Sequence, residues 1–113
     1  MSRVTPENKV KAMVRKVLAE FAEFDVGMNV QNLKQFWPVP SGFGASDLDV
    51  ICCYYGHYFA IETKASGKLP TPRQKLTIAE TRAAGGAAFV IDGEQGCHEL
   101  RVFLQGIKDA NNR

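Results

Sequence analysis

The sequence predicts an α/β domain with elements in the order α-β-β-β-α-β-α. Three observations predict it: an apolar stripe at helical spacing from Val10 to Phe21, two β-branched and aromatic runs around Tyr55-Gly56, and a Gly85-Gly86 stop followed by the apolar run Ala87 to Ile91. With 113 residues, 45% of them hydrophobic, the chain reads as one soluble domain over 1–113 with a single small core.

Thr5-Pro6-Glu7 reads as a helix start: a hydroxyl cap, a proline in the first turn and an acid at the positive end of the dipole. Val10, Met13, Val14, Val17, Leu18 and Phe21 recur at i, i+3, i+4 and i+7, and the helix is expected to run to about Phe24. Glu7 falls on the same inward stripe, about 20° from Val14 and Leu18 at ~100° per residue. It is either a plain helix-start acid or an acid aimed into a site.

Gly27 to Phe36 reads as a first strand with poor alternation. Pro38-Val39-Pro40-Ser41-Gly42-Phe43-Gly44 is a loop, because prolines and glycines at that density cannot continue a ladder. No Gly-Lys-Ser/Thr ending follows, so it is not a phosphate-binding P-loop; its expected task is to deliver Asp47 to the next strand. Phe36 and Trp37, just before it, read as core aromatics, with base stacking as the other use.

Leu48 to Tyr54 and Tyr58 to Lys64 form a hairpin around Tyr55-Gly56. An even loop puts Asp47, Asp49, Ile51 and Cys53 on one face with Tyr58, Ala60, Glu62 and Lys64; an odd loop separates the two acid sets unless a bulge or sharp bend intervenes. The expected register is the even one, or an odd one rescued in that way. Leu48, Val50, Cys52, Tyr54, Phe59 and Ile61 then form an apolar face fit to pack on a helix.

Beyond the polar turn Ala65 to Pro70, Thr71-Pro72 caps a second helix to about Ala84, and Gly85-Gly86 stops it. Ala87 to Ile91 is a short strand, Asp92-Gly93 a turn, and Gln95 to Lys108 a last helix that buries Leu100, Phe103, Leu104 and Ile107. Residues 109–113 read as a frayed tail.

A formal charge of +2 is too weak a bias to name a partner. Its distribution is more informative: Arg3, Lys9, Lys11, Arg15 and Lys16 stand against Glu7 and Glu20, and Lys64, Lys68, Arg73, Lys75 and Arg82 against Glu80. Such segments are either solvated helix faces or contacts to a phosphate backbone. Cys52, Cys53 and Cys97 make an odd count without CxxC spacing, which fits a reducing cytosol and no disulfide framework. His57 and His98 lie near them in sequence, but adjacent strand cysteines point to opposite faces and fit one tetrahedral zinc site poorly. Neither a signal peptide nor a membrane span is expected.

The residues that carry chemistry are Asp47 and the Glu62-Thr63-Lys64 triplet, fifteen positions further on. Convergent carboxylates hold a hard divalent cation, and a cation beside an ammonium activates water while neutralising a phosphate. Lys64 shares the face of Glu62 by strand alternation, and the Thr63 carbonyl lies in reach of the same ion. On composition alone an ordinary edge-strand ion pair of exposed Glu and Lys is the commoner reading.

The wider pattern separates these alternatives. Gly44-Ala45-Ser46-Asp47-Leu48, Phe59-Ala60-Ile61-Glu62-Thr63-Lys64, Gly67-Lys68, Pro70-Thr71-Pro72-Arg73-Gln74 and Ala84-Gly85-Gly86-Ala87-Ala88-Phe89-Val90, in that order, resemble the PD-(D/E)xK nuclease superfamily. Within it the chain is similar to the small VRR-NUC type found in phages and as a module of larger repair nucleases. The likeness spans roughly Glu7 to Ile91.

The resemblance implies a restriction-endonuclease-like αβββαβ core, a small mixed sheet flanked by helices, with an added C-terminal helix. It implies that Asp47, Glu62 and the Thr63 carbonyl bind Mg²⁺ or Mn²⁺, that Lys64 is the catalytic lysine, that Gln74 stands beside the site, and that Glu7 matches an acid on the first helix. Ser46 departs from the pattern, standing where proline often precedes the aspartate. Asp49 is a rival ligand, or else a hydrogen-bonded strand acid. Lys9, Lys68, Arg73 and Lys75 are expected to contact nucleic acid. The implied activity is metal-dependent endonuclease cleavage of DNA, with branched or Holliday-junction DNA as a candidate substrate and a homodimer as the expected assembly. The rival is a nucleic-acid-binding module that keeps the fold without the chemistry.

Overall fold

The structure, a computed structural model, describes residues 4–38 and 48–112. Helix α1 (Pro6–Phe21) starts as its sequence dictates, with the Thr5 hydroxyl accepting the Asn8 N–H at 3.1 Å and Pro6 in the first turn. It ends at Phe21, short of Phe24. Asn32 is the reason: its side chain accepts the Glu23 N–H at 2.8 Å and its own N–H donates to the Glu23 carbonyl at 2.9 Å. These bonds draw the chain out of the helix into a two-stranded ribbon, β1 (Phe24–Asp25) and β2 (Val30–Gln31). The single strand expected over 27–36 is thus a turn, β2 and a separate β3 (Leu33–Phe36).

The main sheet has the order β3-β4-β5-β6, with β4 (Val50–Tyr54), β5 (His57–Thr63) and β6 (Ala87–Ile91). The first three strands are antiparallel and β6 runs parallel to β5, so the sheet is mixed. A parallel pair needs a crossover. Helix α2 (Pro72–Ala83) supplies it, and α3 (Glu94–Asn111) follows β6, three residues beyond Lys108.

Tyr55 and Gly56 form the β4–β5 turn with φ of 47° and 81°, the left-handed pair that a two-residue hairpin requires. The loop is therefore even, and Val50 faces Ile61, Ile51 faces Ala60 and Cys52 faces Phe59. Val50, Cys52, Tyr54, Phe59 and Ile61 are buried in one cluster with Val14, Val17 and Leu18 of α1 and Leu100 and Leu104 of α3. A smaller cluster on the other face joins Ala60 and Ala88 to Ile78 of α2.

Two expected core placements change. Leu48 packs with Ala60, Ile78 and Ala88 rather than beside Val50, because the chain bends at Asp49 before β4 begins. Phe36 is 58% exposed, since α2 covers β5 and β6 and leaves its side of the edge strand β3 open. Trp37 does pack against the main core, with the Arg15 guanidinium 3.8 Å over its ring and its Nε1 donating to Gln35. On the far side, Arg101–Glu20 and Lys108–Glu23 pairs, each 2.9 Å, link α3 to the end of α1. Among the described residues no helix is long and apolar enough to cross a membrane.

Within this core the Tyr54 hydroxyl is buried without a hydrogen-bond partner among the described residues. An unpaired buried hydroxyl costs about 1–3 kcal/mol. Tyr54→Phe is therefore expected to raise the urea midpoint, whereas Leu100→Ala is expected to cost about 2–5 kcal/mol. A fall in midpoint for Tyr54→Phe would show that the hydroxyl is satisfied.

Candidate active site

The site forms where β5 ends. Glu62 alternates onto the α2 face and is only 3% exposed, so its carboxyl needs partners from neighbouring elements. The first is Gln74, the third residue of α2. Thr71 caps this helix through a capping box: its hydroxyl accepts the Gln74 N–H at 3.2 Å, and Gln74 Oε1 accepts the Thr71 N–H at 2.9 Å. A backbone N–H faces only an acceptor, so the box fixes which way the amide points. The free Nε2 then donates to Glu62 Oε2 at 2.7 Å.

Lys64 supplies the second partner. Its N–H donates to the Ile91 carbonyl at 3.0 Å, which holds the end of β5 to β6, and its Nζ lies 3.5 Å from the same Oε2. Both donors thus converge on one oxygen of Glu62.

Asp49 approaches from the bend before β4. Its Oδ2 accepts the Thr63 N–H at 2.8 Å and the Thr63 hydroxyl, and its Oδ1 lies 3.9 Å from Lys11 Nζ of α1. These bonds to buried Thr63 account for the bend, since they draw Asp49 onto β5 instead of leaving it as a pleat of β4. In a strand the N–H and C=O of one residue project to the same side, so the Thr63 carbonyl also faces away from β6.

The electrostatics follow from this crowding. Burial pushes the Glu62 carboxyl up to about 7, and the Asp49 charge adds to the effect. Lys64 and a hydrogen bond from the Asp49 backbone pull it down without cancelling the rise.

The structure brings Glu62, Thr63, Lys64 and Gln74 together. Asp47 lies outside the described residues. Glu7 is half-buried on α1, and its side chain makes no hydrogen bond or ion pair with another described residue. Lys9, Lys68, Arg73 and Lys75 are all exposed. Sequence reasoning noted Lys11 only as part of a basic segment; its place one helical turn after Glu7 was the available signal that it shares that side of α1. Among the described residues no group of three or more His, Cys, Asp or Glu side chains is gathered as a metal cluster. The oxygen donors at hand suit a hard cation: the Glu62 carboxyl, whose burial and proximity to Asp49 both favour neutralisation by a positive charge, and the Thr63 carbonyl.

A four-stranded mixed sheet flanked by helices, with a carboxylate, a lysine and a helix-borne glutamine at the end of a central strand, defines an α/β domain. A solved structure described as a VRR_NUC domain has this fold: it superposes with a TM-score of 0.66 at 15% sequence identity, over 85% of this chain and 94% of that one. No protein-family model and no curated protein matches the chain.

The raised Glu62 carboxyl has a pH signature. In the folded chain it holds its proton to about 7, against an ordinary 4.5 once unfolded. Between those values the folded state binds more protons, so the contribution of Glu62 to stability is full below about pH 4.5 and is lost as the pH rises through about 7. Measured by urea unfolding in chelator at about pH 5 and 8, wild type should lose ~1–3 kcal/mol relative to Glu62→Gln across that interval. A constant difference between the two proteins would refute the raised value.

Proposed function

We propose that the chain is a divalent-metal-dependent endonuclease that hydrolyses DNA phosphodiester bonds. One observation carries the reading: a buried glutamate at the end of β5 shared between the Gln74 amide and the Lys64 ammonium, in a chain with a VRR_NUC-type fold. Mg²⁺ or Mn²⁺ bound there would supply Lewis-acid activation of water and neutralisation of phosphate charge. Asp47, Glu62 and the Thr63 carbonyl are the groups that would hold it.

The chain's own residues divide the remaining work. The Lys64 ammonium lies in a half-buried position where its charge is poorly screened, and it stabilises the developing negative charge on the phosphate. Gln74 is a positioning residue that fixes the Glu62 carboxyl. Asp49 holds the Thr63 backbone, and Glu7 stands on α1 as the acid of that side. Lys9, Lys68, Arg73 and Lys75, all exposed, contact the phosphate backbone. The reading extends to a two-fold dimer with paired sites acting on branched DNA.

The test is cleavage of linear, flap and four-way DNA in Mg²⁺ and in Mn²⁺, beside calorimetric titration of Mn²⁺. Asp47→Asn, Glu62→Gln and Lys64→Met are each expected to lose about a hundredfold or more in rate. Glu62→Gln should also abolish Mn²⁺ uptake. Arg73→Ala should instead weaken binding of all DNA and lower the salt slope by about one. Wild-type activity in Asp47→Asn and Glu62→Gln would sink this account of the chemistry, and no cleavage of any DNA would leave the non-catalytic binding module as the better reading.

A further inference from the structure

Among the described residues, the sheet face on the α2 side is only half covered. Among these residues, helix α2 packs over β5 and β6, and the register leaves two cross-strand pairs of β3 and β4 beyond it: Lys34 beside Cys53, both exposed, then exposed Phe36 beside half-buried Ile51. Along β5, the next residue on that face after the Phe36 row is Glu62. Phe36 therefore lies about 10 Å from the Glu62 strand laterally and about 7 Å back along it, a separation of one or two nucleotides.

Phe36 is 58% exposed and makes no ring contact with another described aromatic, whereas one face of the Trp37 ring next to it is taken by the Arg15 guanidinium. These two open rows contain no carboxylate, and Lys34 stands exposed two residues from Phe36. An apolar ring flanked by a cation, on a flat sheet surface, suits a partner with both π-faces and a phosphate backbone. Paired bases hide their faces inside the duplex. We propose that this strip is a stacking platform for an unpaired DNA strand adjoining the active site, with Phe36 as the residue that takes a base.

The inference rests on the nuclease reading for what DNA does at the neighbouring carboxylates, and its test is run without metal so that the two fail separately. Anisotropy of a labelled thymidine decanucleotide and of a blunt duplex is measured in chelator, using wild type, Phe36→Ala, Phe36→Tyr and Phe24→Ala. Phe24 is a fair control because it is 56% exposed but sits on the β1–β2 ribbon. Phe36→Ala is expected to weaken the oligonucleotide about tenfold, with Phe36→Tyr within twofold of wild type. Phe24→Ala should leave it unchanged, and duplex binding should be equal in all four. The platform is overturned if wild type fails to bind the oligonucleotide, if Phe36→Ala binds it normally, or if Phe24→Ala loses as much. It is also overturned if Phe36→Ala turns a dimer into a monomer in sedimentation velocity, which would assign the face to a second copy. Oligonucleotide binding that depends on Phe36 in a protein that cuts nothing would sink the nuclease reading alone.

Discussion

The two-residue turn at Tyr55 and Gly56 sets the register on which everything around β5 depends. Both residues lie at positive φ, so the hairpin closes with its strands already twisted into alignment and no spare residue to slip. A slip of one position would exchange Ile61 with Glu62: the carboxyl would enter the cluster between α1 and α3, and an isoleucine would meet Gln74. Burying a carboxylate among Val14, Leu18 and Leu100 costs several kcal/mol or more, so the core enforces the same register as the turn. The site is placed by a choice made eight residues before its lysine.

Much of this was legible in the sequence because its signals are local. Thr5-Pro6 and Thr71-Pro72 read as helix starts, and both threonines do cap; Tyr55-Gly56 read as the turn, and Ala87 to Ile91 as a strand after the glycine stop. What escaped depends on partners distant in the chain. Helix α1 stops early because of Asn32, and Leu48 changes face because Asp49 bonds to Thr63, fourteen residues away. No spacing rule announces either bond. Phe36 was read as core on the general habit of aromatics, but its burial depends on how far α2 reaches across the sheet, a property of the packing alone. Of the site, Glu62, Lys64 and Gln74 were visible as a pattern, while Lys11 was hidden because only the fold brings α1 to the bend at Asp49.

The neighbourhood of Glu62 is held under tension. Asp49 brings a second negative charge close to it and yet cannot withdraw, because it satisfies the Thr63 N–H and hydroxyl inside the domain. Lys64 offsets part of the repulsion at 3.5 Å. A core selected for stability alone would replace such a cluster with apolar groups of similar volume. Carboxyls displaced from their ordinary range by burial and by a specific neighbour gather where chemistry is done.

The capping box at Thr71 reaches further than the helix it starts. With Gln74 Oε1 bound to a backbone N–H, the amide has no freedom to invert, and its Nε2 must present hydrogens to Glu62 Oε2. Lys64 Nζ approaches that oxygen too. Oε2 therefore carries the contacts of both donors, and the two oxygens of one carboxyl are made unequal. A threonine that never touches Glu62 thus decides which of its two oxygens is engaged.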